Sequence, residues 1–285
     1  MSYLERIEEC NRHDLTQFVP LSIRGAPVGH VRRDRVRFFE GMPGFVIADA
    51  GISTALDADA ASRRFDDLTA ELARQGALPG FHGERFPVAI RFGAEPLAIV
   101  DRAMVSWLGV TSYGVHLNGV VREPEGLRMW IAVRSGGKLT FPGMLDNMVA
   151  GGLPIGISPD ANVRKECFEE AGIPESIAAG AHLVGTVSYC VQHDRGLKPD
   201  TMFCYDLELP REFVPHPVDG EVERFELWPI RRVAERVRDT ADFKFNCNLV
   251  IIDFLVRHGV IPATDPDYAE IVRGLRRSVG EERAP

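Results

Sequence analysis

Three glutamates near the middle of the chain have the spacing needed to act together on one ligand. Glu166, Glu169 and Glu170 are related by three and four residues, so a helix would place them on one face. Clustered carboxylates suit Mg²⁺ or Mn²⁺, hard cations that prefer oxygen ligands and bridge to substrate phosphates. The spacing therefore predicts a metal site for phosphate chemistry. The alternative is a solvated acidic face, which is the usual meaning of a glutamate-rich helix.

The residues around these glutamates predict a well-delimited helix over residues 158–171. Ser158 is a good N-cap, Pro159 suits the first helical position, and Gly172 suits the C-terminal stop. A glycine-rich segment over residues 149–157 precedes the helix, and glycine lets backbone groups approach a ligand closely. We expect the side opposite the glutamates to pack in the core, through Ala161, Cys167, Phe168 and Ala171.

This segment resembles the Nudix box, the signature motif of the Nudix hydrolases. The box reads Gly, five residues, Glu, seven residues, Arg-Glu, an aliphatic residue, any residue, Glu-Glu, any residue, Gly and an aliphatic residue. Here Gly151 begins the box and Ile173 ends it, with intact spacing and the three glutamates at matching positions. The resemblance implies an enzyme that uses a divalent metal to direct water onto the diphosphate of a small molecule.

Two positions depart from the box. Ile157 stands where the box has its first glutamate, so one carboxylate is missing. Lys165 replaces the arginine, which removes the bidentate fork but keeps the positive charge. The competing interpretation is a Nudix-fold binding or regulatory module that recognises a diphosphate without cleaving it. Against that interpretation, three clustered glutamates have little purpose if no metal is held.

The resemblance also implies roles for particular residues. Glu166 and Glu170 are expected to bind the metal or act as the base, with Glu169 supporting them and Lys165 steering the carboxylates. The carbonyl of Ala150 or Gly151 is expected to complete the coordination.

A later loop of Nudix proteins often adds a further carboxylate to the site. Glu221 and Glu223 are the candidates here. We favour Glu221 as a metal ligand, because it follows Asp219-Gly220 in the predicted turn.

A narrower resemblance covers most of the chain. Residues 113–119, Lys138 with residues 142–152, and residues 165–174 look like the Nudix proteins related to the fungal thiamine pyrophosphokinase fusion. That group carries an extra N-terminal domain of uncharacterised function. The resemblance implies that thiamine diphosphate, and especially its oxidised forms, is converted to the monophosphate. Hydrolysis of ADP-ribose-like or nucleotide substrates is a further alternative.

Five other residues are expected to bind the substrate. His116 and Asn118 alternate on a predicted strand, so they face the same side of the sheet, and with Tyr113 they offer groups to a heteroaromatic ring. Arg134 and Lys138 flank a Ser-Gly-Gly turn and are expected to contact a phosphate. Ordinary structural hydrogen bonds and solvated turn charges are the alternatives.

The expected fold is α/β, a Nudix α/β/α sandwich with a mixed sheet preceded by a small α+β N-terminal domain. The boundary is expected near residue 108, which gives domains over residues 1–108 and 109–285. Strands are predicted at 18–24, 36–39, 88–92, 97–100, 113–121, 127–133, 183–191, 202–207 and 222–228, and helices at 58–75, 158–171 and 246–258.

Composition excludes several classes of protein. A net charge of -8 argues against a binder of nucleic acid polymers, which needs a basic surface. Five scattered cysteines without zinc spacing indicate reduced thiols in the cytoplasm. The apolar runs are too short to span a membrane, and the N-terminus lacks the apolar run of a signal peptide. Whether the chain forms a homodimer is left open.

Overall fold

The structure, a computed structural model, describes residues 2–138 and 140–279. The elements up to residue 108 are α1 (Tyr3–Cys10), a 3₁₀ turn (Leu15–Gln17), β1 (Phe18–Ile23), β2 (Ala26–Arg32), a 3₁₀ helix (Arg33–Phe39), β3 (Phe45–Ala48), β4 (Gly51–Thr54), α2 (Ala58–Arg74), β5 (Arg85–Val88), β6 (Ala98–Asp101) and α3 (Arg102–Leu108). The elements after it are β7 (Ser112–Glu123), β8 (Gly126–Arg134), β9 (Leu145–Asp146), β10 (Val149–Gly152), α4 (Pro159–Ala171), α5 (Glu175–Ala178), β11 (His182–His193), β12 (Gly196–Glu208), β13 (Val222–Pro229), α6 (Ile230–Asp239), α7 (Cys247–Arg257) and α8 (Tyr268–Gly274).

The N-terminal region combines a small sheet with the amphipathic helix α2. Its sheet has the order β2-β1-β4-β3, and β5 and β6 form a separate antiparallel pair. The Asp57 side chain accepts a hydrogen bond from the Ala60 N–H at 2.8 Å and so caps α2. The apolar stripe of this helix is buried, as its 3.6-residue periodicity predicted, through Ala61, Phe65, Leu68 and Leu72.

Two strand predictions in this region were wrong. Residues 36–39 belong to a 3₁₀ helix, where positions three apart share one side, so Val36 and Phe39 both reach the core beside Trp107. Residues 89–92 lie outside β5, which ends at Val88. Ile90 is 60% exposed, so the apolar character of that segment does not mark a buried strand.

The second half of the chain builds one mixed sheet between two helical layers. The strand order is β11-β12-β7-β8-β13, with β10 added to β7 and β9 added to β8. Helix α4 shares a buried cluster with Val115 and Leu117 of β7. Helices α1, α6, α7 and α8 cover the other face, in a cluster that includes Ile131 and Met202. The predicted α/β/α sandwich with a mixed sheet is confirmed.

The two regions are closely connected. Helix α1 packs in the C-terminal helical layer, where the Arg6 side chain donates to the Val237 carbonyl at 3.2 Å. A Cβ on Gly196 of β12 would come within 2.1 Å of the Ser106 backbone oxygen in α3. The N-terminal region is therefore seated on the sheet through backbone contacts. The boundary near residue 108 stays a prediction.

The helices of the described chain are too short or too polar to span a membrane. Among residues 2–138 and 140–279, no helix combines the length and the apolar character needed to cross a bilayer.

Candidate active site

Helix α4 begins and ends where its caps predicted. The Ser158 side chain accepts a hydrogen bond from the Ala161 N–H at 3.2 Å, Pro159 occupies the first turn, and Gly172 ends the helix in the left-handed conformation at φ 64°. The predicted packing face was wrong in part, because Phe168 is 60% exposed and Ala161 is exposed as well. The buried side instead consists of Asn162, Val163, Cys167, Glu170 and Ala171.

Glu166 packs directly on the backbone of β10. A Cβ added to Gly151 would lie 2.4 Å from Cδ of Glu166, so a residue other than glycine would displace this carboxylate. Gly151 in turn pairs with Val115 in the sheet, which fixes the position of β10 beside the helix. Burial raises the pKa of Glu166, and the charge of Lys165 opposes that shift. The carboxylate and the backbone oxygens of β10 thus share one small region.

Glu170 is the buried carboxylate of the group, with 7% of its surface exposed. Its Oε2 accepts a hydrogen bond from the Ala150 N–H at 2.9 Å. Within the described residues, no lysine or arginine forms an ion pair with it. Burial raises the pKa of Glu170 well above its ordinary value, and the Ala150 N–H only partly offsets this. A buried carboxylate without a cation is costly unless a ligand supplies the charge.

Glu169 and Lys165 lie on the more exposed side of the helix. The Lys165 ammonium contacts Glu169 Oε2 at 2.6 Å and Glu166 Oε1 at 3.3 Å. Lys165 therefore bridges two of the three glutamates. Its predicted role in orienting these carboxylates requires such contacts. Of the two contacts, the one with Glu169 is shorter, and Glu166 and Glu170 are the glutamates that lie against β10.

Glu221 reaches the same side of the sheet as Glu170. Both line a narrow cleft together with Asp146, Asn147, Arg134, Ala132 and Val222. Glu221 forms an ion pair with Lys138, while Glu223 pairs with Arg224 instead. Of the two candidate carboxylates, Glu221 is the one beside Glu170. The cleft is about 10 Å³, which is the space of one water molecule or ion rather than of a ring.

Arg134 is held by internal partners instead of facing solvent. Its guanidinium donates to Asp146 Oδ2 at 2.8 Å and to the carbonyls of Thr140 and Phe141 at 3.0 and 3.1 Å. Its predicted contact with a phosphate stays a prediction, and these bonds would have to be shared with that phosphate.

His116 and Asn118 face the same side of β7, as their alternation predicted, but that side is the buried one under α7. Asn147 links them, because its Oδ1 lies 2.9 Å from His116 Nδ1 and its amide donates to Asn118 Oδ1 at 3.1 Å. Asn118 also donates to Asp206 at 3.0 Å. Only 5% of His116 and 1% of Asn118 is exposed. Their predicted contact with a substrate ring stays untested, and this burial argues against it.

Asp146 is a central residue of the site region that the sequence did not identify. It binds Arg134, lies 3.5 Å from the Lys244 ammonium, and accepts from the Cys247 thiol at 2.6 Å. Burial alone would raise its pKa, but the charge of Lys244 and its other partners lower the pKa to about 2.

His116, Asp146 and Cys247 also have ligand atoms within 4.8 Å of one another. Burial lowers the pKa of His116 to about 4, so the ring is neutral at pH 7. Two cations already neutralise Asp146, which disfavours a metal ion at this point. The group is better described as a hydrogen-bonded network behind the cleft.

Tyr113 lies in an aromatic cluster at the junction of the two regions. Its ring centroid is 5.0 Å from that of Phe92, which comes from the N-terminal region, and Phe92 is 4.8 Å from Phe203 of β12. Phe92 is 44% exposed, and the other two rings are half-buried. The Tyr113 carbonyl accepts from the Leu153 N–H at 2.9 Å, which connects the cluster to the box.

The donor set around Gly151 fits a hard divalent cation. The ligand atoms available here are all oxygens. They belong to Glu166, which packs against Gly151, to the buried Glu170, which has no ion pair among the described residues, and to the backbone of β10. Comparison with known proteins identifies the family. The chain is 40% identical over 96% of its length to Nudix hydrolase 20, chloroplastic, of Arabidopsis thaliana, and covers 77% of that protein. It is 39% identical, with the same coverage, to Nudix hydrolase 24, chloroplastic, of the same plant. The chain belongs to the Nudix hydrolase family.

Further comparisons describe the two regions separately. Residues 2–112 match a family described as a domain of unknown function, DUF4743. Among solved structures, the NUDIX domain of Shewanella oneidensis NrtR aligns with 52% of this chain and 89% of its own, at a TM-score of 0.41 and 16% identity. As a Nudix hydrolase the protein is an enzyme of a family that acts with divalent metal on small molecules. The thiamine-related subgroup stays a prediction.

Proposed function

We propose that this Nudix hydrolase cleaves the diphosphate of thiamine diphosphate and of its oxidised derivatives, using Mg²⁺ or Mn²⁺ held by Glu166 and Glu170. The single observation that carries the metal-dependent part is the Glu170 carboxylate, buried and without an ion pair among the described residues. Such a group is retained against its burial cost when a ligand uses it. A backbone carbonyl of β10, that of Ala150 or Gly151, would complete the oxygen set.

The chemistry assigned to the chain follows from the positions of its charges. A divalent ion bound here would polarise the phosphoryl oxygens and acidify a bound water. Glu166 and Glu170 would hold the ion, and one of the two carboxylates would accept the proton of the attacking water. Lys165 would keep Glu166 oriented through their 3.3 Å contact. Water adds to one phosphorus and the bridging P–O bond breaks, which yields the monophosphate and phosphate.

The substrate class rests on the narrower resemblance together with one structural feature. A heteroaromatic ring with a diphosphate tail needs an aromatic wall close to the metal oxygens. Such a wall is formed by three aromatic residues, Tyr113, Phe92 and Phe203. Tyr113 precedes Gly114 on β7, and Gly114 pairs with Gly152 in the sheet. We assign the ring to this cluster in place of His116 and Asn118, which are buried.

A product analysis of the full-length chain tests both parts of the proposal. Thiamine diphosphate, an oxidised thiamine diphosphate, ADP-ribose and a nucleoside triphosphate are each incubated with the protein and Mg²⁺ or Mn²⁺. We expect thiamine monophosphate and phosphate, formed faster than any product from the other two compounds and not formed with chelator. The Glu170→Gln variant controls for contaminating phosphatases.

The other outcomes separate the alternatives. Faster hydrolysis of ADP-ribose or of the nucleotide would reject the thiamine assignment while the hydrolase assignment stands. Tight binding of a diphosphate without any product would favour the non-catalytic module that Ile157 and Lys165 suggest.

A further inference from the structure

Two consecutive glycines let β10 pack closely on both of its faces. Neighbouring residues of a strand point to opposite sides, so Gly151 and Gly152 face different layers of the molecule. A Cβ on Gly151 would lie 2.4 Å from Cδ of Glu166 on α4. A Cβ on Gly152 would lie 3.0 Å from Cζ of Phe86, which belongs to β5 of the N-terminal region. The strand is therefore packed between α4 on one side and the N-terminal region on the other.

The contacts with α4 are the ones that surround the carboxylates of the candidate metal site. Glu170 accepts a hydrogen bond from the Ala150 N–H at 2.9 Å. Asn162 donates to the Gly152 carbonyl at 2.8 Å, and Glu166 packs on the glycine between these two residues of β10. Three successive turns of α4 thus contact three successive residues of β10. A displacement of the strand would change the surroundings of both carboxylates at once.

The contacts with the N-terminal region come from a strand that is itself firmly held. The Arg85 carbonyl accepts a hydrogen bond from the Ile155 N–H at 2.8 Å, three residues after Gly152. The Arg85 guanidinium donates to both carboxylate oxygens of Asp66 on α2, at 2.6 and 3.1 Å, and to the Ile99 carbonyl at 3.0 Å. Such a bidentate pair fixes direction as well as distance. Strand β5 is thereby tied to α2 and β6 on one side and to the box on the other.

Phe86 has little freedom to move if β10 presses against it. Only 4% of this residue is exposed, and it belongs to the buried cluster of the N-terminal region together with Val88 and Val100. Close-packed interiors resist displacement, so additional volume beside such a ring causes strain. The ring therefore provides a fixed surface behind a strand that has no side chain at this position.

We infer that the N-terminal region is a positioning part of the active site, with Phe86 as the positioning residue that keeps β10 in place against Glu166 and Glu170. This inference rests on the metal site of the proposed function. Phe86 acts through the backbone of Gly152 and is assigned no contact with the metal or the substrate. The two glycines permit both contacts, since a side chain at either position would separate the strand from one of its supports.

A double-mutant cycle on Mn²⁺ binding without substrate tests the inference. The full-length protein is titrated with Mn²⁺, and the free ion is measured by its electron paramagnetic resonance signal. Phe86→Leu removes Cζ, and Gly152→Ala adds a methyl group only 3.0 Å from that atom. We expect each substitution to weaken Mn²⁺ binding on the order of 10-fold, as for loss of a supporting group at a metal site.

The double variant distinguishes a shared contact from two separate defects. In Phe86→Leu with Gly152→Ala, the methyl group fills the space that the ring has left. Its Mn²⁺ affinity should lie within about threefold of the wild type, because residues in contact are not additive. Independent effects would instead multiply to a loss on the order of 100-fold.

Phe39→Leu is the matched control for the loss of a buried ring. Phe39 belongs to the same cluster as Phe86 but packs against Phe45 and Trp107. It should lower thermal stability in chelator about as Phe86→Leu does, while binding Mn²⁺ as the wild type does. A second measurement needs no metal. Amide hydrogen exchange of residues 149–155 in chelator should be faster in Phe86→Leu than in the wild type and in Phe39→Leu.

The outcomes separate the inference from the proposed function. Multiplying effects of Phe86→Leu and Gly152→Ala, or an equal loss of Mn²⁺ affinity in Phe39→Leu, would overturn the positioning role. Unchanged exchange of residues 149–155 in Phe86→Leu would overturn it as well. If the wild type itself binds no Mn²⁺, the metal centre of the proposed function fails, and the exchange measurement alone decides whether Phe86 holds β10.

Discussion

Buried carboxylates lie on both faces of the central sheet, but they differ in their hydrogen-bond and ion-pair partners. Under α7, Asp206 receives two hydrogen bonds from Arg257, at 2.6 and 3.1 Å. Asp253 in the same layer receives one from Arg257 at 2.7 Å and one from Arg276 at 2.8 Å. On the α4 face, Glu170 has a backbone N–H and no cation among the described residues.

This difference separates carboxylates that hold the fold from one that serves a ligand. A buried carboxylate whose oxygens accept hydrogen bonds from arginines needs no further partner. Its removal leaves those arginines unpaired. A buried carboxylate without a neighbouring cation is stabilised when a positively charged ligand binds beside it. This property is typical of binding and catalytic groups. Substitutions on each face should therefore affect different quantities.

The largest effect is expected at Glu170. Glu170→Gln keeps the volume and the acceptor for the Ala150 N–H but removes the charge. We expect turnover to fall on the order of 10²-fold to 10⁴-fold, as for loss of a general base. In chelator, the free energy of unfolding should rise, because an uncompensated buried charge is gone. Phosphate release and urea unfolding measure the two quantities. Normal turnover in this variant would remove Glu170 from the mechanism.

The opposite behaviour is expected from Asp253. Asp253→Asn breaks the charged hydrogen bonds to Arg257 and Arg276 beneath the sheet. We expect a loss of about 2 kcal/mol in the free energy of unfolding, since hydrogen bonds to charged groups contribute about that much. Turnover at a temperature where the variant stays folded should be unchanged.

A surface pair provides the control for that experiment. Asp239→Asn removes the contact with Arg238, which is exposed, and should leave urea unfolding as it is in the wild type. A folded Asp253→Asn protein without turnover would show that the two faces are not independent.

Local patterns predicted the bounds of α4 well, because caps and spacing act within a few residues. Ser158, Gly172 and the three glutamates were all identified in this way. The rotation of the helix about its own axis was harder to predict. By residue type alone, Phe168 is expected in the core and Glu170 on the surface. Which of them is buried depends on β10, where Gly151 leaves room for Glu166 and the Ala150 N–H donates a hydrogen bond to Glu170.

Contacts between distant segments were beyond the sequence patterns. Alternation on β7 correctly placed His116 and Asn118 on one side, but nothing local says which face of a sheet α7 will cover. Asp146 and Cys247 are 101 residues apart and meet only in the folded chain.

The smallest effect is expected at Ile157, and it tests whether the α4 face is already complete. Ile157 is half-buried in the loop before α4, so a carboxylate there can remain partly hydrated and should cost little stability. If Glu166 and Glu170 already hold the ion, Ile157→Glu adds a carboxylate to a sufficient set. Mn²⁺ affinity should then rise no more than severalfold, well short of the change caused by losing a needed ligand. A gain in Mn²⁺ affinity of about 10-fold or more, measured by titration, would show that the site lacks a needed ligand when this carboxylate is absent.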